Sequence, residues 1–201
     1  MSLSTYSDLS GAVSSWTARG DYTAANISNF VDLFEAWANR VLRVRQMETS
    51  TALTPSGGAA TLPTDYLQWR SVNWAGATPV ELEYVSPSIL RGYYPTVDSF
   101  TPSLFTIEGG SIKTQSSDAT NLTLEYWQKV PSLETNSTNW LMSAHPDLYL
   151  WGTLVEAYLF NQDQDNAIVW KQRRDALADE IRNLDKSSIG PGAIRVFGQT
   201  P

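Results

Sequence analysis

Side chains able to do acid–base, nucleophilic or metal chemistry are few in this sequence. His145 is the single histidine among 201 residues, and there is no cysteine. Without thiolates the chain has no cysteine nucleophile, no thiolate metal site and no disulfide framework, and one histidine cannot build a multi-histidine metal centre. A catalytic triad would therefore have to use His145, the only candidate for an acid or base near neutral pH.

The neighbours of His145 favour a structural role for it. Pro146 and Asp147 follow it and open an apolar segment. Proline suits the first position of a helix because its missing N–H would be unpaired there anyway, and an acid in the first turn suits the helix dipole. We interpret His145, Pro146 and Asp147 as the start of a helix.

The carboxylates and glycines do not form a recognisable catalytic or binding motif. Glu81 and Glu83 lie on the polar side of an alternating segment, where carboxylates are ordinarily solvated. Asp163 and Asp165 lack the further spaced oxygens and the glycine of a calcium loop. Phosphate-binding, dinucleotide-binding and nucleophile-elbow motifs do not occur. We expect no enzymatic activity, no cofactor and no metal.

The charge balance argues against a protein that grips nucleic acid. The chain has 14 basic and 21 acidic side chains, a formal net charge of −7, whereas phosphate-binding proteins normally show the opposite balance. One local basic cluster, Arg40, Arg43 and Arg45, has two interpretations. It is either an interface or DNA-bore cluster that faces phosphates or an acidic neighbour, or, as we favour, it caps a helix end and pairs with local carboxylates.

The composition points to protein partners. Only 17% of the residues are charged, while there are eight Trp, nine Tyr and six Phe. Large apolar groups with few charges hint at surface buried against other chains, although aromatics also fill cores. No stretch approaches the roughly 20 apolar residues of a membrane span, and the N-terminus lacks the features of a signal peptide. We expect no membrane contact, and a setting in a cytoplasm or in a particle assembled there.

Residues 1–46 show the helical spacing of apolar side chains. A short amphipathic helix is predicted over Tyr6 to Arg19, and a longer one from about Ile27 to Val44. Asn26 or Ser28 is the expected N-cap of the second helix. This prediction places the three arginines in its last two turns, where cations complement the helix dipole.

Residues 47–130 change to a period of two and predict five to seven short antiparallel strands. Val80, Leu82 and Tyr84 alternate with glutamates, as expected of one half-buried strand. Gly57-Gly58 and Gly109-Gly110 each predict a two-residue hairpin turn. The segments that these turns would join are Thr51–Thr54 with Ala59–Leu62, and Phe105–Glu108 with Ser111–Thr114.

The helical period returns over residues 131–186, after a polar loop at Pro131 to Asn139. Leu148 to Phe160 is apolar nearly all round, so we expect this helix, including Trp151, to be buried on several sides, with a neighbouring subunit as a second cover. A final helix over Asp165 to Leu184 would complete an antiparallel hairpin. The whole sequence thus predicts an α+β fold in which N-terminal helices and a C-terminal helical hairpin form a bundle with an inserted antiparallel β module.

Residues 187–201 form a distinct segment, which we call the C-terminal arm. It contains Gly190-Pro191-Gly192, which prevents it from extending the preceding helix, yet it is rich in apolar residues. Disordered tails are usually poor in such residues. We expect an extended arm that docks on a partner chain, and the alternative that it lies back on its own domain stays open. Its apolar residues are Ile189, Ile194, Val196 and Phe197.

Four strings in order carry a resemblance over about residues 5 to 185. The chain resembles the adaptor proteins of tailed phages, the head–tail connector subunits that form a ring beneath the portal. Two N-terminal helices, a β-rich insertion and a C-terminal helical hairpin occur in this family in the same order. The strings are FVDLFEAWANRVLRVRQME at Phe30–Glu48, LPTDYL at Leu62–Leu67, LEYVSP at Leu82–Pro87, and NWL with HPDLYL at Asn139–Leu141 and His145–Leu150.

The resemblance implies a partner list and a place of action. Family members are not enzymes, and their rings are commonly twelve-fold to match the portal. It implies a homo-oligomer with the portal above, a tail or nozzle protein below, and double-stranded DNA that passes through the bore without specific binding. The portal rim or the adjacent subunit would receive the arm. The location implied is the virion neck at the portal vertex, after assembly in the bacterial host cytoplasm.

One alternative from a different class stays open on the sequence. The aromatic side chains of residues 67–85 and 122–128 would then form a stacking platform, and the protein would be a carbohydrate- or surface-binding β module of a phage tail or capsid.

Overall fold

The computed structural model describes residues 3–93 and 98–188. Helices and sheets coexist, which confirms the α+β class. The helices are α1 (Tyr6–Trp16), α2 (Ala24–Val41), α3 (Pro87–Tyr93), α4 (Leu133–Asn136), α5 (Trp140–Ala144), α6 (Pro146–Phe160) and α7 (Gln164–Ser188). The strands are β1 (Glu48–Leu53), β2 (Ala59–Thr61), β3 (Tyr66–Trp74), β4 (Val80–Glu81), β5 (Glu83–Tyr84), β6 (Leu104–Glu108), β7 (Ser111–Thr114) and β8 (Leu122–Gln128).

The chain divides into two compact units. The helical unit combines the residues up to Gln46 with those from Val130 onward, and the β unit spans Met47–Lys129. A short 3₁₀ turn, Arg45–Met47, lies where the chain passes from the first unit to the second.

Helix α6 is the centre of the helical unit, where it contacts α1, α2, α5 and α7. Its interior positions are buried from Leu148 to Ala157. Trp151 is partly buried, less completely than the sequence predicts. The last two residues, Leu159 and Phe160, are 50% and 58% exposed. The other helices therefore cover most of α6 but leave apolar surface at its C-terminal end.

The contact between α2 and α6 depends on a glycine. Phe34 of α2 is fully buried, and its ring centroid lies 4.8 Å from that of Tyr149 on α6 in an edge-on arrangement. One turn later, a Cβ atom placed on Gly152 would lie 1.9 Å from Cδ2 of Phe34. Because Gly152 has no side chain, the Phe34 ring can occupy the space beside it.

Two of the sequence expectations for the helices need correction. Thr23, not Asn26 or Ser28, is the N-cap of α2. Asn26 occupies the third helical position and completes a capping box, in which the Thr23 backbone N–H donates to the Asn26 carboxamide oxygen at 3.0 Å. The predicted loop over Pro131 to Asn139 also contains the single helical turn α4.

The β unit consists of two four-stranded sheets with the orders β1-β8-β3-β4 and β2-β7-β6-β5. Among the described residues, one hydrophobic cluster takes members from both sheets. Its buried members are Leu53, Ala60, Val72, Leu82, Phe105, Ile112, Leu122, Leu124 and Tyr126.

One of the two predicted hairpins is confirmed and the other is wrong. Gly109 and Gly110, with φ angles of 61° and 75°, join β6 to β7, which pair antiparallel. Gly57 and Gly58 also adopt positive φ and make a tight turn. The strands on either side of that turn nevertheless separate, because β1 pairs with β8 whereas β2 pairs with β7.

The predicted single strand through Val80, Leu82 and Tyr84 is also wrong. The chain changes sheet at Leu82: the N–H of Leu82 donates to Val72 at 2.8 Å, and the N–H of Glu83 donates to Ser103 at 2.9 Å. β5 then pairs with β6 in parallel, so the β unit is not purely antiparallel. The alternation of apolar residues persists because Leu82 is buried where the two sheets share their core.

Replacing Gly152 with alanine tests the close approach of α2 and α6. Gly152→Ala would drive a methyl group into the Phe34 ring, and overpacking of this kind costs about 1–3 kcal/mol of the free energy of unfolding. Gly11→Ala is the matched control, because Gly11 is an exposed helical glycine with no atom within 4 Å of the added Cβ. It should stabilise by roughly 0.5–1 kcal/mol. Denaturant unfolding measures both, and equal effects of the two changes would contradict the packing argument.

Candidate interaction surfaces

A buried polar network ties the 131–139 segment to the helices. The Glu35 carboxylate oxygen Oε1 accepts from the backbone N–H of Leu133 at 2.8 Å and from the Tyr149 hydroxyl at 3.0 Å. The Asn139 side chain lies 2.6 Å from the same hydroxyl and accepts from the N–H of Met142 at 2.8 Å. These bonds join α2, the segment before α5, α5 itself and α6 in one interior cluster.

Burial shapes the acid–base properties of this network. Burial raises the pKa of Glu35 from its ordinary 4.5 to about 6. The hydrogen bonds from Leu133 and Tyr149 favour the charged form and lower this pKa, but burial has the larger effect. Burial and the nearby Glu35 carboxylate also raise the pKa of Tyr149. Since Glu35 is 6% exposed and surrounded by structural contacts, we assign it to holding the fold.

Glu35 does not belong to any of the motifs identified in the sequence, although its position carries a signal. Glu35 falls four residues after Val31 and three before Ala38, both of which belong to the apolar face of α2. An acid on the apolar face of a helix indicates a buried partner on another element.

The basic cluster is dispersed along the end of α2. The helix ends at Val41, so only Arg40 lies in its last turn, and the expectation of three arginines within the helix is wrong. Arg43 donates to the backbone carbonyl of Asn39 at 2.7 Å, where it caps the C-terminal end of the helix. Arg45 pairs with Asp185 of α7 at 3.1 Å. Two of the three side chains thus have local partners, and a DNA-facing role for the cluster stays a prediction.

A fourth arginine contributes to the same region. The Arg174 guanidinium lies 3.9 Å from the centroid of the Trp37 ring and donates to Asp175 at 2.8 Å. Its side chain is 6% exposed. Burial raises the pKa of Glu156 on α6, while Arg174 and Arg40 act in the opposite direction. A mixed charge cluster therefore bridges α2, α6 and α7.

His145, Pro146 and Asp147 lie at the start of α6. His145 is the N-cap residue, Pro146 occupies the first helical turn, and Asp147 accepts from the N–H of Leu148 at 3.0 Å. His145 also lines a polar groove of about 300 Å³ together with Arg45 and Asp185. Among the described residues, no group of three or more His, Asp or Glu side chains is placed to hold a metal ion.

An apolar groove lies between α2 and the C-terminal end of α6; we call it the α2–α6 groove. It encloses about 500 Å³, with Asp32 and Glu156 as its acidic residues. Several of its apolar side chains are well exposed, Leu33 by 53% and Phe160 by 58%. The groove is lined by Asn26, Asn29, Phe30, Asp32, Leu33, Glu156, Leu159 and Phe160.

Several aromatic side chains of the strands contact one another. Trp69 stacks on Tyr84 with centroids 5.7 Å apart and meets the buried Phe105 edge-on at 5.2 Å. The Arg70 guanidinium lies 4.8 Å from the Trp127 ring centroid. One face of Trp69 and one face of Trp127 are thus covered by other side chains, while Tyr84 stays 44% exposed, so the alternative of a stacking platform stays untested.

Two further features considered in the sequence are the C-terminal arm and membrane-spanning segments. Ile189, Ile194, Val196 and Phe197, the docking residues of the C-terminal arm, lie outside the described residues. In the part of the chain that the structure describes, none of the helices is long and apolar enough to span a membrane.

The pH dependence of stability tests the buried state of Glu35. Because folding raises the Glu35 pKa to about 6, its favourable contribution is complete below pH 4.5 and is lost as the pH rises through 6. Glu35→Gln keeps an acceptor and removes the titration, so the stability of the variant relative to the native chain should rise by about 2 kcal/mol between pH 4.5 and 7. Denaturant unfolding across this range measures it. A flat profile for Glu35→Gln would contradict the burial of this carboxyl group.

The comparison with protein families agrees with the resemblance carried by the four strings. The sequence model of the SU10 adaptor protein family matches residues 4–195. No curated protein matches the chain. The family consists of phage structural adaptors, and its match covers nearly the whole chain. The chain therefore belongs to the SU10 adaptor protein family.

Proposed function

We propose that this protein is a head–tail adaptor of a tailed phage. Copies of the chain form a ring, with twelve as the expected number, that joins the portal to a tail or nozzle protein. Double-stranded DNA passes through the ring during packaging, retention and ejection. The observation that carries the proposal is the family match over residues 4–195, since its members are phage adaptors.

The exposed apolar surface of the helical unit supports assembly with other chains. Large apolar side chains are 46–59% exposed on four of its helices. Each half-exposed side chain of this size gains roughly 1 kcal/mol when a partner covers it. Exposed apolar residues of the unit are Trp16, Leu33, Leu159, Phe160, Ile168, Val169 and Leu184.

The charge of the chain supports passage of DNA without capture. With a formal net charge of −7 per copy, a ring of many copies is strongly acidic. Tight nonspecific DNA binding depends on neutralising phosphates with Lys and Arg and on the counterions that this releases. Two of the three arginines of the one basic cluster are engaged locally, Arg43 with helix carbonyls and Arg45 with Asp185.

Binding to the portal is the experiment that tests the proposal. Purified full chain is mixed with the portal protein of the same phage, and the complexes are imaged by negative stain, with each component alone as the control. We expect a ring of this chain stacked on one end of the portal. A monomer in the absence of the portal is compatible with the proposal, whereas no binding to the portal contradicts it.

Truncation tests the proposed role of the arm. A chain that stops at Lys186 loses Ile189, Ile194, Val196 and Phe197 but keeps the buried residues of α7, which extend to Ile181. We expect an almost unchanged melting temperature, because the truncation keeps every residue of α7 that the structure describes as buried. Phage that carry this truncation should yield filled heads that leak DNA or lack tails. Normal infectious particles would contradict a docking role for the arm.

A further inference from the structure

The α2–α6 groove has the chemistry of a site for a short apolar segment that carries a cation. Phe30, Leu33, Leu159 and Phe160 provide apolar lining, and Leu33, Leu159 and Phe160 are each at least half exposed. Asp32 and Glu156 add two carboxylates, and no basic side chain lines the groove. Arg174 and Arg40 already act on Glu156, so Asp32 is the carboxylate that a cation on the occupant would meet. An occupant that matches this groove buries apolar groups and offers a positive charge to the carboxylates.

The chain itself carries such a segment. Residues 194–197 read Ile-Arg-Val-Phe, three apolar side chains around one cation. Arg195 is the only charged side chain between residues 189 and 201. In an extended conformation Ile194 and Val196 point to one side, which can fill an apolar groove, while Arg195 and Phe197 point to the other. The long side chain of Arg195 can turn over the edge of the segment toward the exposed Asp32.

We propose that residues 194–197 of one copy bind in the α2–α6 groove of a neighbouring copy. The inference rests on the ring assembly of the proposed function, and it assigns to the arm one partner, a second copy of this chain, and one site.

The length of α7 excludes the groove of the same copy. Leu159 and Phe160 end α6, so the groove lies where the hairpin turns into α7. α7 then runs 25 residues away from this end, about 37 Å at the helical rise. Its far end lies beside the start of α6, because Asp185 and His145 line the same polar groove.

The residues after α7 are too few to bring residues 194–197 back to the groove of their own copy. Ile194 follows Ser188 by six residues and Phe197 by nine, and nine extended residues span at most about 32 Å, less than the roughly 37 Å length of α7. Residues 194–197 therefore fall short of the groove on their own copy, and a neighbour must supply it. Each copy would then give one arm and receive another, a head-to-tail contact of the kind that closes a ring.

Disulfide trapping tests the assignment, because the native chain has no cysteine and every disulfide must use introduced residues. Full-length chain with Leu33→Cys and Val196→Cys is incorporated into phage particles and oxidised. The matched control pairs Val196→Cys with Ile168→Cys, since Ile168 is 52% exposed, as Leu33 is 53%, and is not a lining residue of the groove. Non-reducing gels and peptide mass spectrometry identify the cross-links.

We expect a ladder of cross-linked copies joined through positions 33 and 196, several-fold stronger than in the control. A disulfide within one copy, or trapping no stronger than in the control, overturns the inference while incorporation keeps the proposed function. Absence of the native chain from the particles overturns the proposed function, and with it the inference.

Charge exchange provides the second measurement for the case in which the cysteine variants are not incorporated. Arg195→Glu should lower the number of copies per particle several-fold by placing like charges together at the groove. Adding Asp32→Arg to the same chain should restore that number, because it recreates an opposite pair. If the double variant is not restored, the groove of the neighbouring copy is not the site of residues 194–197.

Discussion

The close approach of α2 to α6 is the contact on which the helical unit depends. At Gly152 the absence of a side chain admits the Phe34 ring, and one turn earlier Tyr149 carries the polar network that reaches Glu35 and Asn139. The same antiparallel contact, continued toward the end of α6, places Phe30 and Leu33 beside Leu159 and Phe160. One end of the α2–α6 helix pair is thus buried and holds the fold together, and the other end is open and forms the candidate interaction surface.

Much of the helical unit was predictable because local rules decide it. Apolar spacing identified α2, and Pro146 with Asp147 marked the start of α6. The differences arise where local signals compete: Thr23 forms a capping box with Asn26, and Trp151 in an apolar segment is only partly buried. Whether an apolar side chain of α6 is covered depends on which helices surround it, and periodicity along one segment does not contain that information.

The β unit shows the same limit more clearly. A positive-φ glycine pair specifies a turn, and at Gly109-Gly110 the turn also joins paired strands. At Gly57-Gly58 the turn forms but its flanking strands enter different sheets, and at Leu82 a regular alternation continues across a change of sheet. Strand partners are set by the core that the two sheets share, so the sequence predicted the strands better than their pairing.

The candidate interaction surface could be only half predicted. The sequence indicated apolar surface for partners and an apolar arm, but the groove depends on Leu33 and Phe160 coming from helices that are far apart in the sequence.

A cryo-EM map of the isolated neck tests whether this chain is a ring-forming head–tail adaptor. We expect a ring of this chain between portal and tail, with density from a neighbouring copy in each α2–α6 groove. A neck in which this chain is absent, or in which it forms no ring, would contradict the proposed function.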